Sequence, residues 1–378
     1  YQINHWNLSL IIHKEKGVIK FKKILKKNKK KINIKNQEIA YIIFTSGSTG
    51  QKKGVIIKKS SFINYIKNLK KVFQNKKKTK SILINGEMTF DISLADFAFA
   101  FIFNAGLSIT NDSRNLISLI YMLSKYKINS LYVVPSTLRK IVHFFQNNKD
   151  YNLLNTTQIN CGGEELQYKL VKDAKKIFKK ADFYNFYGPT EFTINSTYHK
   201  INLKRVYNSE TIPIGKPLPN IKYIIKKNKN NDKYGELLLN GHQLMHGYTN
   251  AKNSFLKLDK KIYYKTGDLV YENNKDGLYF VSRKKDYIKH LGYRINLENI
   301  QRIISKKCNV ECKIGYNKNS LIGFIKSKTK INSNEILNKT KSLLENYEMP
   351  NKFIFLNDFY YSSSGKIDLP KMINKYVV

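Results

Sequence analysis

Glu38-Ile39-Ala40-Tyr41-Ile42-Ile43-Phe44 runs without a break into Thr45-Ser46-Gly47-Ser48-Thr49-Gly50-Gln51-Lys52-Lys53-Gly54. The first seven residues are mostly apolar and read as a buried strand. The next ten interleave glycines with hydroxyls and lysines. Glycine lets a backbone turn sharply and approach an anion, and the hydroxyls and Lys53 supply donors for phosphate oxygens. The spacing is not that of a Walker A loop, which needs Gly, four residues, then Gly-Lys-Ser/Thr. A flexible linker would need neither the flanking strands nor the series of hydroxyls.

Outward from this loop, Val55–Ile57 reads as a second short strand and Ser60 as the cap of a helix running to about Phe73. Ser81–Ile84 and Leu131–Val134 are strand-like. Leu166–Lys180 reads as a helix, followed by a strand at Asp182–Phe186. Strands alternating with helices imply an α/β fold, a large N-terminal domain of mostly parallel sheets flanked by helices. From Pro213 short apolar runs punctuated by Gly and Asn (Ile221–Ile225, Gly235–Leu239, Leu278–Val281) mark a small β-rich subdomain. After Arg283 come a helix at Leu297–Lys306, a strand at Leu321–Ile325, a helix at Ser333–Asn346 and an exposed loop at Ser362–Lys366, a small α+β domain. The expected division is 1–285 and 286–378. The chain begins at Tyr1, which reads as a fragment.

Five further stretches carry chemistry: Asn185-Phe186-Tyr187-Gly188-Pro189-Thr190-Glu191; Gly235-Glu236-Leu237 continuing to Gly247-Tyr248; Tyr264-Lys265-Thr266-Gly267-Asp268; Arg283-Lys284-Lys285-Asp286 through Lys289, Gly292, Arg294 and Glu298; and Ser364-Gly365-Lys366-Ile367-Asp368. Together with the Gly/Ser/Thr loop, and in this order, they resemble the signatures of the adenylate-forming (AMP-binding) enzymes: acyl-CoA synthetases, luciferases and non-ribosomal peptide synthetase adenylation domains. The resemblance covers the chain from about Ile39 to its end. Most of the 19 glycines fall in these motifs or in Gly162-Gly163 and Pro213-Ile214-Gly215, and so do Arg283 and Arg294, two of six arginines.

The resemblance implies a role for each residue. ATP or AMP is expected at Thr45, Ser46, Gly47, Ser48, Thr49, Gly50, Lys53, Gly163, Asn185, Tyr187, Gly188, Asp268 and Arg283. Two carboxylate oxygens on Asp268 suit two ribose hydroxyls, and the planar fork of Arg283 suits the same sugar. Thr190 is expected at the α-phosphate and Glu191 at Mg²⁺. Lys366 is expected to meet the charge that builds as a carboxylate attacks the α-phosphate. Asp286 is expected as a hinge that makes the C-terminal domain a mobile lid, with Lys289, Gly292 and Arg294 along the path of a phosphopantetheine thiol. Departures are Lys52 for the usual Pro, Lys59 for a common His, Ser282 for Gly, Gln301 for Glu and Leu369 for Arg. Relatives carry on the order of a hundred residues before the loop, about one small domain, against 44 here, so the N-terminal part reads as truncated.

The expected substrate class rests on Asp91, a carboxylate among the apolar residues of Phe90-Asp91-Ile92-Ser93. A buried Asp is costly unless paired. A substrate α-ammonium would pair it; an Asp capping a helix from Ile92 is the structural alternative. Adenylation domains and D-alanine–carrier-protein ligases carry Asp at the matching position. By the same match Ile92, Ala95, Asn160, Gly162, Phe186, Ile194 and Asn195 are expected to line the side-chain pocket, and the two asparagines suggest a hydrogen-bonding side chain. The expected activity is that of an acid–thiol ligase: ATP-dependent formation of an aminoacyl-adenylate, then transfer to a carrier protein. An acyl-CoA synthetase and a non-catalytic remnant are the alternatives.

Composition bounds these readings. The net charge is +41, yet only six of the 68 basic residues are Arg, and Lys is spread along the chain with Asn, Ile and Tyr. Nucleic-acid surfaces favour Arg for bidentate contacts, so a solvated Lys-rich surface is expected instead of a nucleic-acid partner. No stretch reaches the roughly 20 continuous apolar residues of a membrane helix. Cys161, Cys308 and Cys312 are expected as buried free thiols in a reducing cytoplasm.

Overall fold

The apolar run before the Gly/Ser/Thr loop is a strand, and the chain doubles straight back on it. The computed structural model describes residues 10–15, 18–23, 38–46, 52–74, 79–86, 88–110, 115–148, 155–205, 207, 209–227, 233–284, 287–290, 293–317, 320–327, 330–361 and 367–377. The strands β1 (Leu10–Glu15) and β2 (Val18–Lys23) form an antiparallel hairpin. β3 (Ile39–Ser46) pairs antiparallel with β4 (Lys52–Lys58), setting Phe44 opposite Gly54 and Thr45 opposite Lys53. These two paired strands flank the expected phosphate loop in sequence.

Helix α1 (Lys59–Phe73) begins at once. Its N-cap is Lys58, without a side-chain cap bond, and Ser60 lies inside the first turn, not at the expected cap. There follow β5 (Ser81–Ile84), α2 (Asp91–Phe103), β6 (Gly106–Ile109), α3 (Leu116–Lys125), β7 (Ser130–Val133), α4 (Pro135–Asn147), β8 (Gln158–Gly162), α5 (Tyr168–Ile177), β9 (Asp182–Tyr187), β10 (Thr197–Lys200) and β11 (Lys216–Pro217). These strands build a seven-stranded sheet in the order β11-β10-β9-β8-β7-β5-β6. The pairs from β9 to β6 are parallel, while β10 and β11 run antiparallel. The expected α/β class with a mostly parallel sheet is what the chain forms.

Alternation along β8 divides the two faces. Ile159 and Cys161 enter an apolar cluster with Leu138, Ile141, Leu170 and Val171, from α4 and α5. Tyr132, Tyr184 and Phe186 enter the cluster that also holds Phe73, Ala95 and Phe99, from α1 and α2. Among the described residues strand β6 ends the row, with Leu107 and Ile109 exposed. Helix α5 is shorter than the expected Leu166–Lys180: Gln167 bridges Thr211, and after Ile177 the buried Phe178 leaves helical geometry.

The β-rich part comprises β12 (Lys222–Lys226), β13 (Gly235–Asn240), β14 (Gly247–Tyr248), β15 (Phe255–Leu258), β16 (Lys261–Asn273) and β17 (Gly277–Arg283). The short β14 joins β4 instead, with Tyr248 opposite Val55. Arg205 Nη1 lies 2.7 Å from Oδ1 of the buried Asp276 in the β16–β17 turn, and the Tyr279 hydroxyl donates to Asp276 Oδ2 at 2.9 Å.

The chain divides into two units, one of Tyr1–Thr266 with Val270–Phe280 and one of Gly267–Leu269 with Val281–Val378. The second holds the hairpin β18 (Tyr287–His290) and β19 (Tyr293–Asn296), then α6 (Leu297–Cys308), β20 (Glu311–Asn317), β21 (Ser320–Lys326), α7 (Ser333–Thr340), β22 (Lys352–Phe355) and α8 (Leu369–Tyr376). Asn296, Asn332 and Asp368 cap its three helices with side-chain oxygens, the role short polar side chains fill best. Helix α7 stops short of the expected Asn346. The Thr340 hydroxyl bonds back to Ile336 O at 2.8 Å, and Leu343 and Leu344 fold their amides onto Thr340 O. The three cysteines are free and buried. Among the described residues no helix is long and apolar enough to cross a membrane.

Candidate active site

Asp91 is the first residue of α2, and Phe90 stands at the N-cap without a side-chain cap bond. The Asp91 residue is half-buried, but its Oδ2 is shut from solvent and has no hydrogen-bond partner. The rest of the carboxylate takes a hydrogen bond from Thr190 and backbone N–H bonds at Asp91 and Ile92. Burial pushes its pKa up to about 6, and the charge of Glu191 adds to the rise. An enclosed carboxylate oxygen with no donor is costly. The turn of helix accounts for one side of this group and leaves the other open. The hydroxyl of Tyr41, on β3, is likewise buried without a partner, and both burial and the charge of Asp91 hold it un-ionised.

Thr190 and Glu191 sit on a 3-10 turn, Thr190–Phe192, after Pro189. The Tyr248 hydroxyl donates to Glu191 Oε1 at 2.7 Å and accepts from Tyr264. Lys53 Nζ lies 5.5 Å from the Tyr248 ring centre. A loop hairpin, a helix start, a 3-10 turn and β14 thus converge on one cluster: Asp91, Thr190, Glu191, Tyr248 and Lys53. Among the described residues no group of three or more His, Cys, Asp or Glu could hold a metal. Mg²⁺ needs less, since it is bound by one or two carboxylates with phosphate oxygens and water. Glu191, with one oxygen engaged by Tyr248, suits that donor set.

The backbone from Gly188 to Ser196 is tightly constrained. A Cβ on Gly188 would lie 2.4 Å from Ile194 O and 2.6 Å from Asn195 Cα, so only glycine fits. Thr193 and Ile194 have φ of 57° and 71°, uncommon for non-glycine residues and strained for a β-branched one. Gln243 holds this turn: its side-chain Nε2 donates to Asn195 O at 2.9 Å, and its main-chain carbonyl accepts from the Thr193 hydroxyl. Of the expected pocket residues, Ala95, Asn160, Phe186, Ile194 and Asn195 are buried and Ile92 is half-buried. Asn160 accepts from Gln158 at 2.9 Å through Oδ1, and its Nδ2 has no partner. Both ends of the Asn195 amide are engaged: Oδ1 accepts from Tyr132 at 3.0 Å and Nδ2 donates to Tyr65 at 2.9 Å.

Among the expected nucleotide residues, Asn185 donates to Pro213 O at 3.0 Å from a buried position. Tyr187 is half-buried, and Gly163 is exposed with φ of 82°. In the second unit Asp268 is buried, and Arg283 Nε lies 3.0 Å from its Oδ1. Gly47, Ser48, Thr49, Gly50, Asp286, Gly292 and Lys366 lie outside the described residues, as do the side chains of Ser46, Lys289 and Arg294. Tyr41, Tyr65 and Tyr132 carry no motif signal in the sequence, and Tyr248 and Tyr264 stand there only as members of their motifs. The one signal for Tyr132 was a hydroxyl-tipped ring inside an apolar strand, Leu131–Val134.

The model of a family described as AMP-binding enzyme matches residues 6–249. Zwittermicin A synthase ZmaJ of Bacillus cereus is 29% identical over 356 residues, 88% of this chain and 67% of its own length. Tyrocidine synthase 3 of Brevibacillus parabrevis is 28% identical over 351 residues, again 88% of this chain but 5% of that much longer synthase. The solved structure of Klebsiella oxytoca NpsA in complex with 3-hydroxyanthranilyl-AMSN superposes with a TM-score of 0.75 at 19% identity, covering 91% of this chain and 72% of the other. At that identity the likeness speaks for the fold.

Proposed function

This chain belongs to the AMP-binding enzyme family of adenylate-forming ligases, and from that premise we propose that it activates an amino acid with ATP. A carboxylate oxygen of the amino acid attacks the α-phosphorus. The bond between the α- and β-phosphates breaks, and pyrophosphate leaves with the electron pair. The acyl-adenylate then meets the thiol of a carrier protein's phosphopantetheine arm. Sulfur bonds to the acyl carbon, AMP departs, and the thiol proton passes to solvent. Peptide synthases among the relatives support the carrier partner and the amino-acid class.

The observation that carries the amino-acid reading is the enclosed, unpartnered Oδ2 of Asp91. An α-ammonium supplies a donor and a compensating charge for it. Thr190 holds the other part of the carboxylate in place, so Asp91 meets the substrate preorganised. We assign the phosphates to the segment between β3 and β4, with Lys53 and the main-chain N–H of Thr190, whose hydroxyl already donates to Asp91, and the ribose hydroxyls to Asp268 with Arg283. Mg²⁺ would be held by Glu191 and would neutralise phosphate charge when bound. Lys366 is assigned to the developing charge at the α-phosphate, and the segment after Asp286 to a lid that withdraws it before thiol transfer.

Pyrophosphate exchange into ATP tests the reading. Amino acids should drive exchange, and the matching des-amino acids should not. Equal exchange with both would transfer the chain to the acyl-CoA synthetase reading.

A further inference from the structure

The proposed pocket is closed by the chain's own side chains a short distance beyond Asp91. Strands β7, β8 and β9 run parallel and in register, so Tyr132, Asn160 and Tyr184 are neighbours at one level of the sheet. Gly162 and Phe186 are neighbours at the level nearer the strand ends. Tyr132 leans across: its hydroxyl would be 2.5 Å from a Cβ placed on Gly162. Its ring centre lies 5.8 Å from that of Phe186. The space that the missing side chain of Gly162 leaves is therefore taken by the Tyr132 hydroxyl.

That hydroxyl is fixed. It donates to Asn195 Oδ1 at 3.0 Å, and Asn195 Nδ2 donates to the Tyr65 hydroxyl at 2.9 Å. The three side chains come from a sheet strand, the strained loop after Thr193, and α1, and each is 3% exposed or less. Breaking either bond would leave a buried polar atom unsatisfied, which is costly away from water. The latch is therefore expected to hold its shape when substrate enters. A socket able to take a large side chain must, when empty, leave its walls open to water. Here Ala95 and Asn160 are 0% exposed, Phe186 2% and Ile194 3%. A phenylalanine-sized group needs about 150–250 Å² of contact surface, which such walls do not offer.

We infer that the substrate is an α-amino acid whose side chain is no larger than a methyl or hydroxymethyl group, and that Tyr132, held by Asn195 and Tyr65, sets that limit. The inference rests on the amino-acid reading above. Each end of the Asn195 amide serves a tyrosine, which ties this side chain to the latch.

Pyrophosphate exchange on the whole chain, with glycine, alanine and serine set against leucine, phenylalanine and tryptophan, tests it. The wild type should favour the small set by on the order of 100-fold in kcat/KM, as one misfitting methylene alone is worth about 10–200-fold. Tyr132→Ala should raise kcat/KM for leucine or phenylalanine relative to alanine by about tenfold or more. Tyr132→Phe, which keeps the ring and frees Asn195, should keep the preference for small substrates and let leucine in partially. Phenylalanine turned over by the wild type as well as alanine overturns the size limit while leaving amino-acid activation standing. That comparison decides the matter even if Tyr132→Ala does not fold. Exchange driven equally by des-amino acids removes the Asp91 reading itself, and this inference with it.

Discussion

Arg283 Nε stands 3.0 Å from Oδ1 of Asp268, across neighbouring strands of one sheet. Asp268 is almost fully buried, while the Arg283 side chain is half exposed. The pair thus fixes the carboxylate from one side and leaves the guanidinium reachable. Asp268→Ala should weaken ATP binding by about 1–3 kcal/mol, the range for hydrogen bonds to a charged group. That is roughly fivefold to 150-fold in the dissociation constant read by calorimetry. An unchanged constant would remove Asp268 from the nucleotide site.

The role proposed for Asp91 predicts a pH dependence of defined sign. Its carboxyl is pushed from 3.8 up to about 6, by burial first and then by the charge of Glu191. The folded protein therefore holds this proton more tightly than the unfolded chain. The stability it contributes is full below about pH 3.8 and is lost as pH rises through about 6. Ammonium binding has the opposite need, because only the ionised form attracts it. From pH 7 to pH 5, kcat/KM for the amino acid should fall about tenfold, along a curve that bends near pH 6 and approaches unit slope only below it. Asp91→Asn should be weakly active and flat over the same window. A wild-type profile flat to pH 5 would contradict the role.

Gly188 predicts a mixed defect. An added Cβ meets backbone at 2.4 and 2.6 Å, on Ile194 and Asn195, and backbone does not yield as a side-chain tip would. Gly188→Ala should cost about 1–3 kcal/mol, as for overpacked sites. It should also raise KM for the amino acid, because the displaced residues belong to the proposed pocket. Thermal unfolding and exchange kinetics on one sample would read both, and an unshifted melting temperature would deny the contact.

For Lys366 the expectation comes from the motif alone. Lys366→Ala should slow adenylate formation by on the order of 10²–10³ and spare thiol transfer from preformed adenylate. Asp286→Pro should do the reverse, by locking a backbone dihedral at the proposed hinge. Equal loss of both half-reactions in Lys366→Ala would end the lid proposal.

Much of this was legible in the sequence, for definable reasons. The strands on either side of the Gly/Ser/Thr loop were legible because short apolar runs flank it, and the burial of the Asp91 carboxylate because it stands in an apolar run. The parallel sheet followed from strands alternating with helices. Tyr132 was not legible, since in Leu131–Val134 a tyrosine reads as one more core ring, and only the register of β7 against β8 brings it over Gly162. The hydrogen bond from Thr190 to Asp91 joins segments far apart in sequence, which no local pattern encodes. Helix ends were misjudged where a hydroxyl or a buried ring ended the helix early, as at Thr340 and Phe178.

The last strand of the main sheet has a colloidal consequence. Strand β6 offers Leu107 and Ile109 to solvent, and Phe101 before it and Ile117 after it are more than two-thirds exposed. An apolar edge strand is a template for pairing with a second chain. What opposes that pairing is the +41 charge each copy carries, and such repulsion is screened within about 8 Å at physiological salt. The isolated chain should therefore be best dispersed in dilute buffer and should associate as salt is added, the reverse of an assembly held by ion pairs. Light scattering across a salt series would show it, and Ile109→Lys should move the onset to higher salt.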